Sequence, residues 1–167
     1  MKQFKTFILF SVTSILLSGC GEKSPEGFPV KVYPTTITVT KGSEKLANIS
    51  VYFDLEIPQD WNIGGVTGTN GVAVIRTTQS AFQKNGAPEG TYKVRLSEET
   101  PIMPDELSDA QYMALTPTER ISYEKKKDAF IEANRKIPLK YTSRNNTPVS
   151  ITVSASAPNE LTIDTAK

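Results

Sequence analysis

The stretch "ANISVYFDL", residues 47–55, decides the fold. Ala47, Ile49, Val51, Phe53 and Leu55 alternate with Asn48, Ser50, Tyr52 and Asp54. Successive side chains of an extended chain point to opposite faces, so this stretch predicts a half-buried strand. The same period recurs on both sides of it. Upstream, Ile37 and Val39 alternate with threonines, and "KGSEKL" reads as a hairpin turn between the two strands. Downstream, "IPQDWNIGG" reads as a loop or bend, and Val66 and Thr67 lead into "GTNG". Its Asn70-Gly71 pair is a two-residue hairpin signal, with Val72 and Val74 on the return strand. "QKNGAPEG" reads as another turn. Tyr92, Val94 and Leu96 then alternate with Lys93 and Arg95, and Val149, Ile151 and Val153 with Ser150 and Thr152. "SAPNE" turns the chain into Leu161 and Ile163.

These strands carry one apolar face each, and hairpin turns join them. That pattern predicts a mainly β protein of antiparallel sheets, packed face to face as a sandwich. The expected core is Ile37, Val39, Ile49, Val51, Phe53, Val72, Val74, Tyr92, Val94, Leu96, Val149, Ile151, Val153, Leu161 and Ile163. The domain is expected to occupy residues 30–167, and at that size it can bury enough apolar surface to fold without a disulfide.

Residues 100–137 break the period and predict a helical insertion before the last two strands. "TPTE", Thr116 to Glu119, has the form of a capping box with Pro117 at the first helical position. The helix is expected to continue to about Asn134, with Ser108 capping a shorter helix before it. Ile121, Tyr123, Ala129, Phe130 and Ala133 give only a ragged apolar stripe. Lys125-Lys126-Lys127 reads as a solvated helix face, because flanking acids cancel most of its charge.

Composition narrows the chemistry. The chain has 19 basic and 18 acidic residues and no histidine. Histidine is the commonest general base and metal ligand, so its absence removes the usual catalytic triad and most zinc sites. The near-neutral balance offers no basic stripe for nucleic acid. The single cysteine excludes an internal disulfide.

That cysteine, Cys20, lies in the N-terminal segment. Lys2 and Lys5 precede an apolar run from Phe7 to Leu17, which is too short to span a bilayer and fits a secretory signal. Leu17-Ser18-Gly19-Cys20 resembles the bacterial lipobox, in which the signal is cut before the cysteine and the cysteine is lipidated. Residues 1–19 are then a signal peptide. Residues 20–29, polar and rich in Gly and Pro, are a tether between lipid and domain. Several acyl chains on one residue anchor far better than one. Past Cys20, 17 basic residues face 18 acidic ones, a balance of −1. Gly21 replaces the aspartate that signals inner-membrane retention. In a Gram-negative host the expectation is therefore the outer membrane, on its periplasmic face or at the surface.

The order of motifs from about Thr35 to Ile163 resembles small bacterial envelope lipoproteins with a carboxypeptidase-regulatory-like, transthyretin-like (prealbumin-like) domain. "TITVTKGSEKLANISVYF" matches that family's first two strands and intervening turn. Thr67-Gly68-Thr69-Asn70-Gly71 stands where the family has T-D-x-x-G, and Gly86-Ala87-Pro88-Glu89-Gly90-Thr91-Tyr92-Lys93-Val94 matches its G-A-x-x-G-x-Y-x-V. Ile137-Pro138-Leu139-Lys140-Tyr141, followed by Thr147 to Val153, matches its C-terminal pattern. Gly68 departs from the usual aspartate, which weakens any calcium argument at that turn. The resemblance implies a seven- or eight-stranded prealbumin-like sandwich without catalytic residues.

The expected function is a non-catalytic, lipid-anchored cell-envelope protein, a structural or protein-interaction module without cofactor or metal. Its expected partners are the membrane, through the lipid, and an envelope protein or a polysaccharide. The alternative is a carbohydrate-binding module using Trp61, the only tryptophan, with Tyr52 and Tyr33 extending an aromatic platform. A buried Trp61 plugging the end of the sandwich is the plainer expectation. Asp54, Glu56 and Asp60 lack the spacing of a calcium loop. Gly86 to Gly90 reads either as a rigid ligand loop or, the favoured reading, as a corner that delivers Tyr92 into the core with its hydroxyl bonded to backbone. A Lys–Asn crosslink from Lys31 or Lys41 to Asn159, assisted by Glu98, would need a buried lysine, and both lysines read as exposed.

Overall fold

A computed structural model describes residues 30–55, 60–80, 82–156 and 158–167. The lipobox residues Leu17, Ser18, Gly19 and Cys20, and Glu56, lie outside the described residues. Among those described, no helix is long and apolar enough to cross a membrane.

The strands run β1 (Val32–Tyr33), β2 (Thr35–Lys41), β3 (Glu44–Lys45), β4 (Ser50–Asp54), β5 (Asn62–Val66), β6 (Val72–Val74), β7 (Arg76–Gln79), β8 (Phe82–Asn85), β9 (Ala87–Pro88) and β10 (Gly90–Ser97). Helices α1 (Asp109–Ala114) and α2 (Pro117–Asn134) follow, then β11 (Ser150–Val153) and β12 (Asn159–Asp164). One sheet has the order β11-β10-β4-β5-β7-β8. The other has β12-β2-β3, with β6 also on β2, and β1 with β9 makes a two-stranded ribbon. The protein is thus mainly β, and its two sheets share one core. That core has Ile37, Ile49, Val51, Val94, Leu96 and Val153 almost wholly buried.

The sandwich departs from the simple hairpin ladder in three places. "KGSEKL" does close a hairpin, but between β2 and the two-residue β3. Asn48 then takes a positive φ of 60°, and the chain leaves for the other sheet, so the alternation from Ala47 becomes a strand only at Ser50. The Asn70-Gly71 turn is tight, with Gly71 N–H bonded to Gly68 O at 2.9 Å, yet the strands beside it do not pair. β5 pairs with β4 and β7, while β6 pairs with β2, so the turn is a corner between sheets. Finally, β12 lies parallel to β2, from Asn159 opposite Thr35 to Asp164 opposite Thr40. The expectation of wholly antiparallel sheets is corrected here, because the last strand returns to the first long strand by a crossing and not a hairpin.

Two core expectations are also corrected. Val74 is 49% exposed and Val72 half-buried, whereas Ala73 and Ile75 are fully buried. Four consecutive apolar residues carry no phase, so only the pairing of β6 with β2 selects Ala73 and Ile75 for the core. Val149 and Leu161 are only partly buried against the core. Gln83-Lys84-Asn85, expected within a turn, belong instead to edge strand β8, with every residue exposed, which removes the alternation that would have revealed it.

The Gly86–Gly90 stretch is a corner. Gly86 and Gly90 take φ of 113° and 153°. A Cβ on Gly86 would lie 2.4 Å from the Tyr33 carbonyl oxygen, so the close approach itself excludes a side chain. Tyr92, 1% exposed, donates its hydroxyl to Pro88 O at 2.8 Å. Burial pushes the Tyr92 phenol up to about 12.

The insertion folds as its caps dictate. Ser108 with Gln111 and Thr116 with Glu119 form reciprocal capping boxes, and Pro117 opens α2. Hydrogen bonds from the Thr116 hydroxyl and N–H hold the Glu119 carboxyl below its usual range. Neither helix has a buried residue. The helices are held mainly by the insertion's own groups. Leu107 N–H donates to Tyr123 Oη at 3.0 Å, Lys126 pairs with Asp105, and Lys127 pairs with Glu106. The root of the insertion is firmer. Glu98 Oε1 accepts the N–H groups of Lys136 and Ile137, each at 2.9 Å, and Met103, Ile137 and Tyr141 are buried there.

Candidate functional site

The outward face of the six-stranded sheet carries the residues left over by the core. Val51 and Phe53 on β4, and Val94 and Leu96 on β10, point inward. Alternation then places Tyr52, Asp54, Lys93 and Arg95 on the other face. Arg95 stands opposite Tyr52, and Lys93 opposite Asp54. Arg95 grips Asp54 with two nitrogens, at 2.7 and 3.4 Å, and lays its guanidinium over the Tyr52 ring at 4.7 Å. These side chains are less exposed than an open sheet face allows, 33% for Arg95 and 20% for Asp54. Trp61 and the loop carrying Arg144 stand beside them. The result is a hollow of about 300 Å³, whose lining includes Tyr52, Asp54, Trp61, Asn62, Arg95 and Arg144.

Two further hollows adjoin it. One, of about 550 Å³, shares Asp54 and Arg144 and extends to Lys93, Asn145 and Ser150 on the β11 side. The other, of about 240 Å³, shares Tyr52 and Asn62 and extends over Gly64 to Arg76, Thr78 and Gln83 on the β8 side. Gly64 is required by backbone approach, since a Cβ there would lie 2.5 Å from Val51 O. It also stands opposite Tyr52 on β4 and opposite Arg76 on β7.

The proposed aromatic platform is therefore only partly assembled. Tyr52 is 40% exposed and lines the hollow together with Trp61. Trp61 is half-buried and packs against the core, and its indole Nε1 is buried with no acceptor among the described residues. It is a wall of the hollow and not a flat stacking surface. Tyr33 does not line the hollow; it sits on the β1–β9 ribbon with Lys31 over its ring at 5.3 Å. Asp54 is committed to Arg95, and Asp60 is exposed. Among the described residues, no three His, Cys, Asp or Glu side chains gather as a metal site would require. Asn159 spends its amide on Ser154 and Pro34, with Oδ1 accepting Ser154 N–H at 2.9 Å and Nδ2 donating to Ser154 O at 3.1 Å and Pro34 O at 3.3 Å. Lys31 and Lys41 are exposed, so the crosslink geometry is not assembled.

Sequence reasoning missed Arg76, Arg95 and Arg144, which line these hollows with Tyr52. Their common position depends on register across several strands, and no local pattern encodes that. No protein-family model, curated protein or solved structure matches the chain.

Proposed function

We propose that the chain is a non-catalytic, lipid-anchored cell-envelope protein, a prealbumin-like sandwich that engages another envelope protein through its helical insertion. The observation that carries the reading is Leu17-Ser18-Gly19-Cys20 directly after a short apolar run with two leading lysines. In a Gram-negative host, Gly21 directs it to the outer membrane. Cys20→Ser is expected to move the protein from the membrane to the soluble fraction. Fractionation after a high-salt wash, with mass analysis of the N-terminus, checks this. A mutant that loses its signal yet stays with membranes would overturn the anchorage.

The insertion supports the interaction role. Its helices are capped and paired internally, are rooted at Glu98, and contribute no buried residue. A helix that buries nothing in its own domain adds little to the domain's stability. Replacing residues 104–134 by a short Gly-Ser loop, which keeps buried Met103 and Ile137, is expected to preserve a cooperative melt. The midpoint should fall by only a few degrees, and crosslinked partners in detergent-solubilised envelopes should be lost. Loss of the cooperative melt would make the helices architecture instead.

A carbohydrate-binding module is the second reading. Tyr52 and Trp61 lining one hollow beside Asp54, Asn62 and Arg95 favour it. Tyr52, the more open ring, takes the stacking role, and Trp61 shapes the wall.

A further inference from the structure

The chain enters the sandwich at one end and leaves for the insertion at the other. β1 lies on β9, with Val32 opposite Pro88 and Tyr33 opposite Ala87. β10 begins two residues later at Gly90 and runs eight residues to Ser97, where the insertion starts. At about 3.4 Å per residue, the end that holds β1 and the end that holds the insertion stand about 24 Å apart. The second sheet agrees. β2 follows β1 at Thr35, opposite Asn159, and reaches Thr40 opposite Asp164. Tyr141, at the return from the insertion, donates its hydroxyl to Asp164 O at 3.3 Å. Neither helix packs on a sheet or buries a residue. Among the described residues, no strand residue hydrogen-bonds or ion-pairs with residues 104–134. α2 ends at Asn134, close to the root at Glu98, so its first turn and α1 form the far end of the insertion. With 18 residues α2 is about 27 Å long. Met113 and Ile121, at that far end, are 66% and 58% exposed.

We propose that the sandwich is a spacer: it presents the insertion on the side away from the anchoring membrane, and the tip engages a protein standing off the bilayer, not the bilayer's lipids. The inference rests on the lipid anchorage proposed above and gives the interaction reading a direction. The physical argument is one of reach. Cys20 and Val30 are ten residues apart, and ten residues span at most about 36 Å. That keeps the β1 end of the sandwich beside the lipid. Turning the tip down to the bilayer would lift the β1 end by the length of the sheet, about 24 Å, before the insertion is counted. The tether would then be drawn to about two-thirds of its limit or more, which forfeits chain freedom. With the β1 end down, no such stretch is needed. The chemistry of the tip selects the kind of partner. Met113 and Ile121 bring apolar surface, which gains by burial in an apolar pocket of a protein and offers a sugar hydroxyl no hydrogen-bonding side chain.

The test uses the full lipidated chain in vesicles of phosphatidylethanolamine and phosphatidylglycerol that carry a headgroup spin label. Cys20 is the only cysteine and is taken up by the lipid in this reading, so an added cysteine accepts a fluorophore at one place. Glu89→Cys marks the β1 end, Glu99→Cys the insertion end and Met113→Cys the tip. All three positions are exposed, and unchanged melting of the variants shows that the fold is kept. The expected result is flotation with the vesicles and quenching that is strong at position 89, weaker at 99 and lost at 113. Quenching at 113 equal to that at 89, in protein that floats, would overturn the spacer and leave the anchorage standing. A lipidated chain that does not float would remove the anchorage and the spacer with it. Met113→Asp combined with Ile121→Asp should keep the quenching gradient and lose the proteins crosslinked in envelopes. Crosslinks retained by that variant would overturn the tip as the contact.

Discussion

Val51→Asp is expected to unfold the domain. Val51 is fully buried on β4, opposite Leu96 on one neighbouring strand and Gly65 on the other. None of these side chains can pair with a carboxylate. Burying an unpaired charge costs several kcal/mol, and a loss of about 5 kcal/mol equals the whole stability of a marginal domain. Far-UV circular dichroism at 25 °C should show no cooperative thermal transition. Lys93→Asp is the contrast. Lys93 is exposed on the opposite face of β10, so the change costs about 1 kcal/mol at most, and that cost comes from like charge opposite Asp54. Equal losses for both would mean that the burial phase of these strands is reversed.

Alkaline solutions should weaken the fold through Tyr92, and Tyr92→Phe should remove that weakness. The phenol is raised from 10.0 to about 12 by burial. As pH rises past 10, the unfolded chain releases this proton while the folded chain keeps it, so the unfolded state gains. The stability linked to Tyr92 is therefore complete below pH 10 and declines up to about pH 12. The full decline is about 3 kcal/mol, from the conversion of 1.36 kcal/mol per pH unit. At neutral pH Tyr92→Phe should cost about 1–3 kcal/mol, because Pro88 O loses its buried donor. Urea titrations of both proteins at pH 8, 10 and 11.5 check the sign. The wild-type advantage should be largest at pH 8 and shrink with rising pH. An advantage that grows with pH would mean that the phenol is not held protonated by the fold.

The features legible in the sequence are those fixed by near neighbours in the chain. The capping box at Thr116 and the cap at Ser108 each depend on residues within four positions, and both formed as read; Gln111 completes a second box that was not foreseen. The alternation from Ile49 to Phe53 and from Tyr92 to Leu96 gave the correct inward faces. So did the corner at Gly86, where the chemistry of glycine and a buried hydroxyl leaves few options. The errors are tertiary. Val72-Ala73-Val74-Ile75 is apolar throughout, so only contact with β2 selects Ala73 and Ile75 for the core. Asn70-Gly71 specifies a tight turn but not whether the flanking strands stay together. The candidate site was half legible. Tyr52 and Trp61 stood out as aromatics, but the cations around Tyr52 come from β10, from β7 and from the loop before β11. Tyr33 was drawn into the same platform by residue type alone.

The parallel pairing of β12 with β2 also sets an order of events during synthesis. Residues 159–164 complete an edge that residues 35–40 open. A chain emerging N-terminus first must therefore carry β2 with one side unpaired until residues 159–164 have been made. Such a distant closure is slow, because the loop entropy is lost before the contacts repay it. Until β12 arrives, this sheet stays unfinished. Removing residues 159–167 would leave that edge open for good, as a template for pairing with other chains.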